Sequence, residues 1–424
     1  MTPASRLGQF SWALYDWANS AFSAVIVTFV FATYFSQGIA ANPTVGTAQW
    51  GWAMTASGIA IALTAPILGA VADAVGRRKP WLFGFTWASI AGCFALWYAR
   101  PEVDYVLYAL VVVGLTNFLY EIAQVFYNAM LPEIAGRERI GRISGWAWGL
   151  GYFGGLACLT FTLFAFVQTE TPLFGLTQQD AENVRIVGPL VGTWFLVFSL
   201  PLLLFTPDRG ATGRRLPEAV REGLGKLWDT LRNVRHYRDI ARFLIARLFY
   251  TEGLNTLFLF GGIYAAGTFG MDTAQVIQFG ILLNITAGVG AFAFGWIDDW
   301  IGAKRTILIA LACLMLFGLA AVLVTDALVF WVVGAALGLF VGPAQAASRS
   351  LMGRIAPEEL RTEMFGLYAL SGKITASMGP FVLGTVAIVT GSQRLGVASI
   401  LLFWLVGALL LLTLRDPDRP ARST

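Results

Sequence analysis

Charge is scarce in this chain: Asp, Glu, Lys and Arg make up 13% of its 424 residues, about half the share of a soluble domain. Such a chain cannot clothe a domain of this size for water, which excludes a soluble enzyme. Histidine occurs once, as His236 in a polar stretch, so no paired-imidazole metal site is available. Cys93, Cys158 and Cys313 each sit inside an apolar run far from the others, which argues against a disulfide framework or zinc site and leaves them structural. No H-E-x-x-H helix, G-x-S-x-G turn or G-x-x-x-x-G-K-[ST] loop occurs, so a membrane-embedded enzyme or ATP-driven machine has no apparatus. No catalytic residue, metal or cofactor is expected.

What the chain has is apolar length. Hydrophobic residues make up 57% of it, mean hydropathy is +0.67, and 46 glycines, 15 tryptophans and 32 phenylalanines suit close helix contacts and headgroup-level aromatics. Crossing about 30 Å of hydrocarbon takes about 20 residues, and twelve runs qualify: 11–36, 50–74, 80–99, 105–131, 143–167, 186–206, 241–266, 273–297, 304–324, 327–352, 363–390 and 394–414. Lipid offers no partner to backbone amides, and the runs lack the alternation of barrel strands, so they read as helices. The first lacks a small-residue cleavage site and reads as an uncleaved anchor.

With the N-terminus in the cytoplasm, 22 of the 29 Lys and Arg fall in inner loops and tails and three, Arg100, Arg185 and Arg394, fall outside. The positive-inside rule therefore places both termini in the cytoplasm. The net charge of +4 is explained by topology and calls for no nucleic acid. The longest inner loop divides the chain into a six-helix half at 1–206, a linker at 207–240 and a second half at 241–424. Leu216, Val220, Leu224, Leu227, Leu231 and Val234 recur at helical spacing in that linker, predicting an amphipathic helix on the inner membrane face that serves as a connector.

The halves repeat one another. Gly69, Asp73, Gly76, Arg78 and Lys79 return as Gly295, Asp299, Gly302, Lys304 and Arg305, displaced by 226 residues. Asp16, Asn19, Ser20 and Phe22 return as Glu252, Asn255, Thr256 and Phe258, displaced by 236, and Ile134, Ala135, Gly145 and Gly151 return as Ile355, Ala356, Gly366 and Gly372, displaced by 221. A duplicated six-helix unit with a site between its copies is the build of a rocking secondary transporter.

The stretch from Gly69 to Lys79 resembles the loop signature of the major facilitator superfamily. The opening Tyr15-Asp16-Trp17-Ala18-Asn19-Ser20-Ala21-Phe22 is similar to its vacuole-effluxer-like branch, known from an autophagy-linked vacuolar amino-acid exporter. The fold class expected is an all-α membrane protein of twelve transmembrane helices in two pseudo-symmetric halves. The resemblance implies that Asp73 faces the start of span eleven near Thr362 to Gly366, and Asp299 the start of span five near Arg142 to Gly145. A carboxylate placed so accepts backbone amides at a helix N-terminus and latches the inside shut. Gly69, Gly76 and Gly302 would allow the close turns, with Arg77, Arg78, Lys304 and Arg305 as charge partners. One departure is visible: span five, Gly145 to Gly155, lacks the Gly-Pro pair of the drug-antiporter motif.

Ionisable groups at membrane depth are costly and turn to a wet cavity or to each other. Asp16 and Asn19 share a face of span one with Ser20 and Ser23, and Asn117, Glu121, Gln124 and Asn128 share one on span four. Glu252, Asn255 and Thr256 do so on span seven, Gln345, Ser348 and Arg349 on span ten, and Lys373 and Ser377 on span eleven. Spans one, four, seven and ten line the cavity in the superfamily that the chain resembles. Glu121 is the first candidate for a titrating carboxylate and Glu252 and Asp16 follow, all three with the alternatives of a static ion pair with Arg247, Arg349 or Lys373 or of a side chain reaching the inner headgroups. Lys373 could hold a substrate carboxylate or neutralise Glu121, and Tyr120 and Tyr127 read as packing.

Together these features predict a monomeric, proton-coupled secondary transporter of a small polar or zwitterionic solute such as an amino acid, in a bacterial inner membrane. Its partners are that small molecule, the lipid bilayer and protons. A lysolipid or other amphiphile as substrate, or a non-transporting sensor on the same fold, are the alternatives.

Overall fold

The computed structural model describes residues 3–214, 216–233, 236–373 and 378–416. The chain is 86% helical, without strands among the described residues. Twelve helical stretches are long and apolar enough to cross a membrane: Arg6–Ile39, Pro43–Val75, Lys79–Tyr98, Val103–Ala135, Ile140–Val167, Glu182–Phe205, Arg238–Phe269, Ala274–Ile301, Ala303–Leu323, Ala327–Ile355, Glu358–Thr390 and Gln393–Leu412. Most outrun the apolar windows read from sequence. Span two begins at Pro43 instead of near residue 50, because Asn42 accepts the Val45 amide as a cap and Pro43 fits the first turn. On the opposite rim span ten runs to Ile355, three residues past its apolar window, carrying Arg354 on the helix. Ser377 and Val234 lie outside the described residues.

Span one is irregular. Phe22–Phe29 and Phe35–Ile39 are π-helical, a wider winding found mostly where function disturbs a helix. The first of these begins three residues beyond Asn19 and six beyond Asp16.

The halves meet where side chains are smallest. A Cβ on Gly69 of span two would lie 2.5 Å from the Thr362 carbonyl oxygen of span eleven, and one on Gly366 would lie 2.6 Å from that of Ala65. The repeat-related contact of spans five and eight is built alike: a Cβ on Gly145 would strike the Ala291 carbonyl, and one on Gly295 would lie 3.1 Å from the Arg142 Cα. Such backbone contact needs glycine. Away from these seams the surface carries Trp300, Phe381, Ile388 and Leu409, an apolar exterior suited to lipid.

The linker forms a helix, Leu216–Arg232. Its inner face differs from the stripe read in sequence: Ala219, Leu227 and Thr230 are buried, with Gly223 against the Ala70 backbone of span two. Val220, Leu224 and Trp228 are exposed, so the apolar residues divide between two faces, one on the protein and one free for headgroups. The side chains of Leu216 and Leu231 lie outside the description.

Candidate functional site

The rim that carries both described chain ends and most Lys and Arg, the basic face, is closed by two matching contacts. Asp73, at the end of span two, accepts the backbone N–H groups of Thr362 (2.7 Å) and Glu363 (2.9 Å) and the Thr362 hydroxyl (2.6 Å). Asp299, at the end of span eight, accepts those of Gly141 (2.8 Å) and Arg142 (3.2 Å). Each carboxylate thus sits on the free amides of a helix start in the opposite half, where the macrodipole favours an anion. The second contact lies one residue earlier than the stretch inferred from sequence, because span five begins at Ile140. Gly76 and Gly302 end their helices at φ +93°, a left-handed turn that a side chain would strain.

Arg78 binds the first contact together. Fully buried, it donates to Asp73 (3.3 Å), the Thr362 hydroxyl (2.8 Å), the Ala129 carbonyl (3.0 Å) and Glu133 (2.7 Å). One Glu133 oxygen also meets Arg361 at 3.1 Å and Arg209 at 3.0 Å, so three guanidiniums converge on a carboxylate that sequence reading passed over. Arg354 plays the corresponding part on the second contact, 2.9 Å from Asp298 and 3.6 Å from Asp299. The repeat displacement of 221 relates Glu133 to Arg354, and that was the available signal.

The other basic residues depart from expectation. Lys304 donates to the carbonyls of Leu412 (3.0 Å) and Leu414, and Arg305 pairs with Asp416 at 3.4 Å. Lys304 caps the end of span twelve, where carbonyls lack helical partners, and Arg305 holds the segment just beyond it, both within one half. Lys79 serves span six in the same way, donating to Leu203 and Thr206. Lys304 therefore matches Lys79 in role, although the motif aligns it with Arg78. Arg77 is exposed and makes no ion pair among the described residues.

One layer deeper, Arg349 of span ten crosses to the first half. It donates to Asp16 (2.8 Å), to the Ser144 hydroxyl (3.0 Å) and carbonyl (2.8 Å), and to Asn128 (3.3 Å). Its guanidinium carbon lies 5.1, 5.7 and 5.6 Å from the rings of Trp12, Tyr127 and Trp148, a cage that stabilises a cation away from water. Asn19 donates to the other Asp16 oxygen at 3.1 Å, and Tyr120 reaches Asn19 at 3.4 Å. Trp12, Ser144 and Trp148 were missed, because a tryptophan on an apolar helix carries no sign of what it faces.

Nearer the middle of the bilayer, Lys373 of span eleven donates to Glu121 of span four at 2.7 Å, with 31% and 22% of the two side chains exposed. Tyr152 donates to Gln345 at 2.5 Å, and Gln124 lies beside Tyr120. The remaining candidates turn elsewhere. Asn117 donates to Ser57 of span two within its own half. Glu252 is buried and accepts the Gly379 amide of span eleven at 2.8 Å; Thr256 is buried with it, whereas Asn255, expected on that face, is exposed. Among the described residues, hydrogen bonds between the halves run from the Glu121 and Gln345 level to the basic face, and none joins the opposite ends.

Comparison with known proteins places this geometry. The family described as vacuole effluxer Atg22 like matches residues 51–421. The uncharacterized MFS-type transporter YxiO of Bacillus subtilis is 25% identical over 404 residues, covering 95% of this chain and 93% of that protein. Autophagy-related protein 22 of Kluyveromyces lactis is 22% identical over 352 residues, 74% of this chain and 69% of that one. Among solved structures, the proton:xylose symporter XylE superposes with a TM-score of 0.73 at 12% identity, covering 97% of this chain and 96% of the other. FucP in its outward conformation gives 0.75 at 13%, covering 97% and 98%; both likenesses concern the fold. A twelve-helix chain built as two six-helix copies, bound to each other by carboxylates on helix starts, is a multi-pass membrane transporter and not an enzyme, and it belongs to the vacuole effluxer Atg22-like family of the major facilitator superfamily.

Proposed function

We propose that the protein moves a small zwitterionic solute, an amino acid foremost, by alternating access coupled to protons. The observation that carries this reading is the Glu121–Lys373 pair: opposite charges from opposite halves, 2.7 Å apart and both partly exposed. A zwitterion can enter between them, its ammonium at Glu121 and its carboxylate at Lys373, and so replace a bond between halves with two bonds through itself. Protonation of Glu121 frees Lys373, giving the proton and the solute a shared switch. The basic face is the cytoplasmic side of a bacterial inner membrane, the protein works as a monomer, and nucleic acid has no part in it. In proteoliposomes, counterflow of labelled amino acids is expected; failure across all twenty would defeat the substrate assignment, and binding without exchange would indicate a sensor.

Asp73 and Asp299 act in this reading as latches that hold the basic face shut. Asp73→Asn keeps the shape but offers one oxygen in place of two, weakening bonds to amides that a charged acceptor makes worth about 1.5–3 kcal/mol each. Transport is expected to slow severalfold with expression unchanged, as read by initial rates normalised to protein in the membrane; an unaltered rate removes the latch.

A second reading, an amphiphilic substrate, draws on an apolar pocket in the second half between Leu257, Phe260, Phe279, Leu283, Phe330 and Trp404, whose lining matches the chemistry of an acyl chain. Thermal stabilisation by lysolipid and not by amino acids would favour it.

A further inference from the structure

The start of span eleven carries a second carboxylate beside the first latch. Glu363 lends its backbone N–H to Asp73, but its side chain is fully buried, and its carboxylate oxygens make no well-formed hydrogen bond beyond a loose contact with the Thr230 hydroxyl of the linker helix. The groups that bear on it are Asp73 of span two, and Thr230 and Lys226 of the linker helix. Asp73 repels an anion there. Lys226 is 41% exposed and lies 2.9 Å from Glu222, whose carboxyl the hydrogen bond and charge of Lys226 hold below its ordinary range, so its attraction for Glu363 is shared and screened. Asp73, by contrast, has three donors from span eleven and the Arg78 guanidinium.

A buried carboxyl with one loose hydroxyl contact and a second carboxylate beside it favours the neutral form. We propose that Glu363 is a proton-binding site built into the latch: it holds a proton on a carboxylate oxygen while spans two and eleven are joined, and releases it to water when they part. The other latch lacks this property. The repeat displacement relates Glu363 to Arg142, a permanent cation 3.4 Å from Asp299, so the second contact has a fixed positive charge where the first has a carboxyl. Acid on the basic side then favours closure, because the closed state binds the proton more tightly; that preference is present at low pH and fades as pH rises through the closed-state value. The ratio of closed to open changes by up to tenfold per pH unit in that window.

The inference is independent of the solute, and its test uses none. Spin labels on Glu138→Cys and Glu359→Cys, exposed positions on the basic face of opposite halves, report closure in the full-length protein. Acidification is expected to raise the closed fraction in the parent, while Glu363→Gln stays closed and insensitive to pH. An infrared band of a buried protonated carboxyl is expected in the parent and absent from Glu363→Gln, which reads protonation whatever the variant does to folding. A parent whose distances ignore pH, a Glu363→Gln protein that keeps the parent's pH response, or a band that survives the substitution each overturns the proposal.

Discussion

Arg349→Met is expected to open the basic face. Arg349 is 2% exposed and Asp16 8%, so the substitution leaves a buried carboxylate beside the Trp12, Tyr127 and Trp148 rings with neutral donors, Asn19 and the Tyr127 hydroxyl, in place of a cation. Removing one partner of a buried ion pair costs about 3–5 kcal/mol, which corresponds to roughly 10²- to 10⁴-fold in a population ratio. That cost falls on the closed state alone, because parting the halves separates the pair and admits water to both ends. The same reasoning says the pair contributes little net stability to the fold, since the desolvation it suffers on closure offsets most of its attraction. The expected signature is therefore asymmetric: Arg349→Met shifts label distances across the basic face towards separation, whereas Asp16→Asn with Arg349→Met restores most of the closed population. Arg349→Lys should fall between them, since a point charge can meet Asp16 but cannot also span Ser144 and Asn128. Should the single and double variants show the same distances, the cost lies in lost packing and the pair is not the switch.

The sequence carried more of the fold than of these pairings, for a physical reason. Hydropathy and charge asymmetry are properties of one segment against lipid or water, so the spans and the repeat could be read without knowing any neighbour. The two carboxylate contacts too were open to reading, because Asp73 and Asp299 sit in a motif whose geometry a helix start completes. Pairings across the halves depend on helix rotation and depth, which a single chain does not display. The polar stripe on span four correctly groups residues by spacing, yet Asn117 turns to Ser57 in its own half while Glu121 and Asn128 reach different spans of the other. Lys304 shows the limit of aligning motifs: a one-residue change in where a turn ends converts a cross-half partner into a helix cap. The repeat held information that went unused. Displacement by 221 relates Asn128 to Arg349 and Glu133 to Arg354, so two polar positions of span four have their counterparts in the two most connected cations of span ten.

Glu121→Gln is expected to separate exchange from accumulation. Because both side chains of the Glu121–Lys373 pair are partly exposed, the pair contributes roughly 0–1 kcal/mol to stability, and the variant should melt within a few degrees of the parent. Its effect on function is far larger. Glutamine keeps the length of the side chain and an oxygen for Lys373 or a substrate ammonium, but has no site for a transferable proton. A carrier in that condition can still swap solute for solute, since both states remain reachable with cargo in place. It cannot draw on a proton gradient. Counterflow of the labelled solute is therefore expected within a fewfold of the parent, while accumulation driven by an imposed pH difference falls at least about tenfold, the change that about 1.4 kcal/mol of lost driving force represents. Lys373→Gln isolates the other end: without the cation, the solute carboxylate has no partner, and counterflow itself should disappear. Measuring both variants on one vesicle preparation makes the assignment vulnerable in two separate places. Uphill accumulation by Glu121→Gln would remove Glu121 as the proton carrier and leave the zwitterion site standing, whereas normal counterflow by Lys373→Gln would remove the zwitterion site and turn attention to Arg349 or to the apolar pocket of the second half.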